Sequence, residues 1–368
     1  MKKITNFLVI SNLLILVTFS SCNPIVEPPI EKVESVTSFY LLNEGSMGSN
    51  NASLDFYDYQ TTVFSLNIFS QINPNIVGGL GDVGNDLKIY GSKLYAVING
   101  SGLVEVMDAK TAQHIGVVQV ENCRSINFHN GRAYVSSFAG ATFGNGNIVG
   151  YVVEIDTTSL QVLRRVNVGK QPEEIEFLNG KMYVVNSGGY TAEFDNTISV
   201  VDLQSFTETK KIEVAVNLQY LRKDKNGNLY ALSSGNYTDI NPNIYVIKND
   251  EVVKNLGIYA TNFCISGDSI YVLSNETNWA TWETTSKYVI YNIKTQQVVT
   301  ENFITDGTEI EIATSYGIAV NPISKEIFIT DAKGYTTSGE LFCFSPEGRK
   351  LWSVRTGVCP KYITFLKE

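Results

Sequence analysis

The chain has 368 residues, with 28 Lys and Arg against 37 Asp and Glu, for a formal net charge of −9. An acidic surface cannot neutralise phosphates, which excludes a nonspecific nucleic-acid binder; 43% hydrophobic against 18% charged residues excludes a disordered chain. Two histidines, His114 and His129, leave little material for a histidine metal centre or a catalytic triad, while 20 Tyr, 18 Phe and 29 Gly favour strands and turns over helices.

At the N-terminus Lys2 and Lys3 precede an apolar stretch from Phe7 to Phe19, too short to remain as a bilayer-spanning helix. It ends in Phe19-Ser20-Ser21-Cys22, which resembles a bacterial lipoprotein signal. The resemblance implies that residues 1–21 are removed and that Cys22 carries lipid. Residues 22–37, with Pro24, Pro28 and Pro29 and no periodicity, read as an extended tether, which leaves 38–368 as the folded domain. The later cysteines, Cys123, Cys264, Cys343 and Cys359, show no paired spacing and are expected as free thiols.

Beyond the tether one unit recurs. Residues 86–120 read as strand, Gly-Ser turn, strand, Gly turn, strand ending at Asp108, Lys-Thr turn and strand. The same grammar returns from Arg124 and Glu173, and more faintly from Gln219, Asn262 and Tyr316. Each copy carries an aromatic in its second strand: Tyr95, Tyr134, Tyr183, Tyr230, Tyr271 and Phe328. The first copy, anchored by Tyr40, lacks an opening strand, and the segment from Cys359 to Phe365 has the character of an opening strand without a blade. The two fragments complete each other. The prediction is an all-β, seven-bladed β-propeller of four-stranded antiparallel blades, sealed by the C-terminal strand entering the N-terminal blade. Closure of this kind removes sheet edges, and it predicts Ile363 and Phe365 in the blade core beside Tyr40.

Tyr183–Gly188 (YVVNSG), followed by Asn196–Val214 (NTISVVDLQSFTETKKIEV), resembles the YVTN-type β-propeller repeat. Leu41–Asp58 resembles the opening of propeller lipoproteins from the Bacteroidetes envelope. This resemblance implies a protein lipid-anchored in the outer membrane, on its surface or its periplasmic side. Proteins of this kind include surface lipoproteins that bind cobalamin and related corrinoids and hand them to an outer-membrane transporter. The implied function is non-catalytic ligand capture. The alternatives are a protein- or glycan-binding module of the envelope and, third, a propeller lyase.

In such a fold the loops leading into the innermost strands, and those joining second to third strands, share one face, called here the upper face. The first class places Arg124, Tyr220, Asn262, Tyr316 and Tyr362 at the channel mouth; the second contributes Asn186, Tyr237 and Trp279. These eight form the expected ligand-binding set. Aromatics give contact area at low rotamer cost, and amides both donate and accept, which suits a neutral, amide- or hydroxyl-rich ligand. Trp279 and Trp282 lie in a polar stretch without apolar alternation, so core packing does not explain them. No HExxH, CxxC or GxSxG occurs. Glu173 and Glu174 are neighbours on a strand and point to opposite faces, and residues 224–228 read as a hairpin turn rather than a calcium loop. No catalytic residue, metal, cofactor or nucleic-acid partner is expected; the expected partners are a small molecule, a transporter and the membrane through lipid.

Overall fold

The computed structural model describes residues 34–140, 142, 143, 148–191, 193–278, 281 and 283–368; the expected leader, Cys22, Trp279 and Trp282 lie outside them. The described chain forms seven four-stranded antiparallel sheets. The innermost strands touch one another in a closed circuit: Gly84–Tyr90 in blade 2, Cys123–His129 in blade 3, Pro172–Leu178 in blade 4, Leu218–Lys223 in blade 5, Asn262–Ser266 in blade 6, Ser315–Val320 in blade 7 and Pro360–Lys367 in blade 1. The molecule is therefore a seven-bladed β-propeller. Among the described residues helix is confined to the single turn Ile68–Ile72, which buries Ile68 and Phe69, and a 3-10 turn, Thr308–Glu311.

The anchor aromatics have a common task. Tyr40 packs into the apolar layer between blades 1 and 2, Tyr95 between 2 and 3, Tyr134 between 3 and 4, Tyr183 between 4 and 5, Tyr230 between 5 and 6, Tyr271 between 6 and 7, and Phe328 between 7 and 1. A blade cannot bury both faces by itself, so each contributes one large ring to the seam with its successor. Polar stitches join the innermost strands: Asp86 accepts from the Ser125 hydroxyl at 2.8 Å and the Ile126 N–H at 3.0 Å, and the Asn127 amide donates to the Ile175 carbonyl at 2.7 Å.

Blade 1 is assembled from both ends of the domain. Pro360–Lys367 pairs antiparallel with Val36–Asn43, with Phe365 opposite Phe39 and Ile363 opposite Leu41. In this register Tyr40 faces Thr364. Ile363 and Phe365 therefore lie not beside Tyr40 but on the other side of the sheet, with Phe39, Leu41 and Phe328 against blade 7. The alternation of a strand fixes this: residues one apart point to opposite faces. Cys123, Cys264, Cys343 and Cys359 are free thiols, all but Cys264 buried.

Candidate functional site

The upper mouth of the channel is a knot of paired charges. The Arg124 guanidinium donates to both carboxylate oxygens of Glu173, at 3.0 and 3.2 Å, and lies 4.5 Å from the Phe138 ring centroid. Arg222 donates to a Glu174 carboxylate oxygen and to the side-chain amide oxygen of Asn262, each at 3.4 Å. Lys361, at the start of the sealing strand, donates to Glu44 at 2.9 Å, and the Tyr316 hydroxyl donates to the other oxygen of the same carboxylate at 2.5 Å. The Lys361 ammonium lies 4.7 Å from the ring of Tyr316, 5.0 Å from that of Tyr362 and 6.0 Å from that of Tyr220. Burial alone would pull its pKa down, but Glu44 and the three tyrosines hold it well above the ordinary lysine value. Burial, reinforced by Glu44, pushes the Tyr316 hydroxyl far up in turn.

Arg124, Tyr220, Lys361 and Tyr362 leave a void of only about 30 Å³ at this mouth. Below it the channel widens to about 410 Å³, lined by Lys88, Glu176, Arg222, Lys223 and Cys264 among others. The ligand-sized space on the upper face is off-axis. A cleft of about 540 Å³ opens over blades 5, 6 and 7, and Tyr220, Tyr237, Tyr259, Tyr316 and Tyr335 line it. Asn241, Asn275, Thr261, Thr314 and Ser315 supply short polar groups, and Glu276 the one carboxylate among the described lining residues. Tyr316 meets Tyr335 edge to face, with centroids 5.6 Å apart. Tyr237 and Tyr335 both hold a left-handed backbone, with φ of 61°, a region bulky residues avoid.

The expected binding set does not gather in one place. Tyr220, Tyr237 and Tyr316 meet in the cleft. Tyr362 stands at the mouth and in the channel wall. Arg124 is committed to Glu173, and Asn262 donates to the Tyr316 carbonyl at 2.9 Å, so both position other groups. Asn186 is fully buried; it accepts from the Gly169 N–H at 3.0 Å and donates to Thr197 and Ser199. Its polar atoms are spent inside blade 4, and it presents nothing to the upper face. Trp279 lies outside the described residues. Tyr259, Tyr335 and Glu276 were absent from the set. Tyr259 sits in the connection between blades 5 and 6, three residues ahead of the strand that begins at Asn262. Glu276 belongs to a second strand, Ser269–Asn278, that runs far beyond the repeat consensus.

The sequence pattern described as "Domain of unknown function (DUF5074)" matches residues 37–351. Among solved structures, a quinonprotein alcohol dehydrogenase-like protein (BT1487) from Bacteroides thetaiotaomicron is 18% identical, covers 91% of this chain and 79% of its own, and superposes with a TM-score of 0.63. Hydrazine synthase from Kuenenia stuttgartiensis is 18% identical over 70% of this chain and 76% of its own, at 0.57. The dihydro-heme d1 dehydrogenase NirN in complex with DHE is 9% identical over 89% of this chain and 75% of its own, at 0.52. At these identities the likeness is one of fold. No curated protein matches the sequence.

Proposed function

The chain belongs to the DUF5074 family, and from that premise, together with the cleft just described, we propose that it is a non-catalytic capture protein that takes a small molecule on its upper face. The observation that carries this reading is the open cleft of about 540 Å³ walled by five tyrosines and short polar side chains from three blades. Its size lies within the range of small-molecule sites, and its chemistry is that of contact rather than of bond making. The charged groups at the channel mouth support the same reading, since Arg124, Glu173, Arg222, Glu174, Lys361 and Glu44 are tied in pairs, and the lone carboxylate among the described residues of the cleft wall, Glu276, has no partner acid or base beside it there.

The first ligand to test is cobalamin or a related corrinoid, which the resemblance of Leu41–Asp58 to envelope propeller lipoproteins suggests. A corrinoid is broader than the cleft. It would seat one amide-bearing edge among the tyrosines and rest on the neighbouring loops, before transfer to an outer-membrane transporter. The protein would hold its place through lipid on Cys22, and Cys22→Ala would release it from the membrane fraction.

Calorimetric titration of the purified mature protein with cyanocobalamin tests the capture reading. Binding is expected, and Tyr220→Ala or Tyr316→Ala should each weaken it by about 1–3 kcal/mol, the scale of one buried aromatic contact. Absence of binding by the unmutated protein would move the assignment to a protein- or glycan-binding module, which an oligosaccharide panel would then address.

A further inference from the structure

We propose that the group received by the tyrosine-walled cleft is an organic cation of the alkylammonium class. The proposal rests on the reading that the cleft is the ligand site, and it sets a cationic guest against the neutral corrinoid edge as the group seated there. Amide and hydroxyl walls alone suit a neutral guest; three further observations do not.

The first is the composition of the wall. Five tyrosines line the cleft, and among its described lining residues there is no Lys, Arg or His. Aromatic faces carry the negative end of a quadrupole and attract ammonium groups. The molecule already uses two of these rings in this way, since the Lys361 ammonium rests near Tyr220 and Tyr316. That charge does not repel a second cation strongly, because Glu44 cancels it at 2.9 Å.

The second is Glu276. It is exposed on the cleft wall, and no hydrogen bond or ion pair engages its carboxylate among the described residues. The lysine nearest in electrostatic terms, Lys287, is already taken by Glu301 at 2.7 Å. The field of Glu276 reaches the cleft: burial raises the Tyr259 hydroxyl pKa, and Glu276 raises it further. A carboxylate with no bonded cation among the described residues, on a wall of tyrosine faces, is an acceptor set suited to substituted ammonium ions.

The third is the setting. Exposed Glu121, Asp239 and Glu283 stand on loops or strand ends of the same face, while Lys170 and Lys333 there are paired with Glu193 and Glu340, a balance that favours the approach of cations over anions.

The test uses the mature protein and a pair of probes matched in shape, choline and its uncharged carbon isostere dimethylbutanol, with cyanocobalamin titrated in parallel. Choline should bind at least roughly tenfold more tightly than dimethylbutanol. Glu276→Gln should weaken choline roughly fivefold and leave dimethylbutanol unchanged, whereas Tyr259→Ala should weaken both. Glu251→Gln, on an outer strand of blade 5 away from the cleft, should change nothing. Equal binding of the two probes, or choline binding indifferent to Glu276→Gln, overturns the proposal. If cyanocobalamin binds through Tyr220 and Tyr316 while choline does not, the charge assignment falls and the capture site stands; if no probe binds, both fall.

Discussion

Tyr237 shows how a single backbone angle separates stability from binding. Its φ of 61° is strained for any residue with a Cβ and free for glycine. Its ring is 58% exposed and touches Phe194 at 6.0 Å between centroids, so little packing compensates. Tyr237→Gly should therefore melt as if about 1 kcal/mol more stable than Tyr237→Ala, while both lose the same ligand affinity. Thermal unfolding beside titration reads the two effects apart. At Lys361 the balance runs the other way. Side chains of Lys361 and Glu44 are only 14% and 13% exposed, and Glu44→Gln would leave the ammonium buried without its counter-charge, a loss of about 3 kcal/mol. The folded pKa values of Lys361, Tyr316 and Tyr362 all lie above their ordinary values. Groups raised on folding contribute stability that is intact below the unfolded pKa and lost as pH rises through the folded one. The wild type should therefore begin to destabilise above about pH 10, the ordinary range for Tyr and Lys, with a set of phenols ionising only as the protein unfolds. Absorbance of phenolate followed alongside circular dichroism checks the coincidence.

At the scale of the strand, the repeat grammar was legible because it is enforced locally. Asp108 accepts from the backbone of Lys110 at 2.9 Å and of Thr111 at 3.0 Å. Asp58, Asp156, Asp202 and Asn292 close the corresponding turns of their blades in the same way. The side chain writes the turn, so the residue betrays it in sequence. Burial works against ionisation at Asp108, yet the Thr111 and Lys110 amides hold its pKa below the usual carboxylate value. Its contribution is thus present above the unfolded carboxylate pKa and is lost as pH falls through the folded one. Asp108→Ala should cost about 1 kcal/mol at neutral pH and less once the wild-type carboxyl is protonated, as denaturant titrations at the two pH values would show. The binding set was less legible because its residues were chosen by loop class. Asn186 is the last residue of the second strand of blade 4, Lys181–Asn186, and turns inward onto Thr197 and Ser199, whereas Tyr237 lies four residues past the second strand of blade 5, Leu229–Ser233, in the cleft wall. Where the strand stops within the loop class decides the difference, and that boundary is set by pairing with the neighbouring strand. Likewise the sequence showed that the last strand completes blade 1 but not which of its faces meets Tyr40, since that depends on register and not on composition.

For the whole molecule, the seal in blade 1 is the feature on which the ring depends. Removing residues 360–368 would strip the innermost strand from blade 1, uncover Phe39, Leu41 and Phe328 and bare the backbone edge of Val36–Asn43 that it pairs with. The truncated protein is expected to aggregate or to lose its cooperative transition in calorimetry, and an unchanged melting profile would contradict the role given to the seal. The same strand also governs how the fold can be reached. Its Lys361 meets Glu44 across 317 residues of chain, whereas most other strand pairs join neighbours in sequence. Contact order is thus low within each blade and very high at a single seam. The entropy of closing a loop grows only as the logarithm of its length, so the seam is reachable, but it has to wait for the intervening blades to stack and bring its two halves within reach. Blades 2 to 7 would accumulate as an open array with two sticky ends, and the slowest folding phase would be the one that joins them.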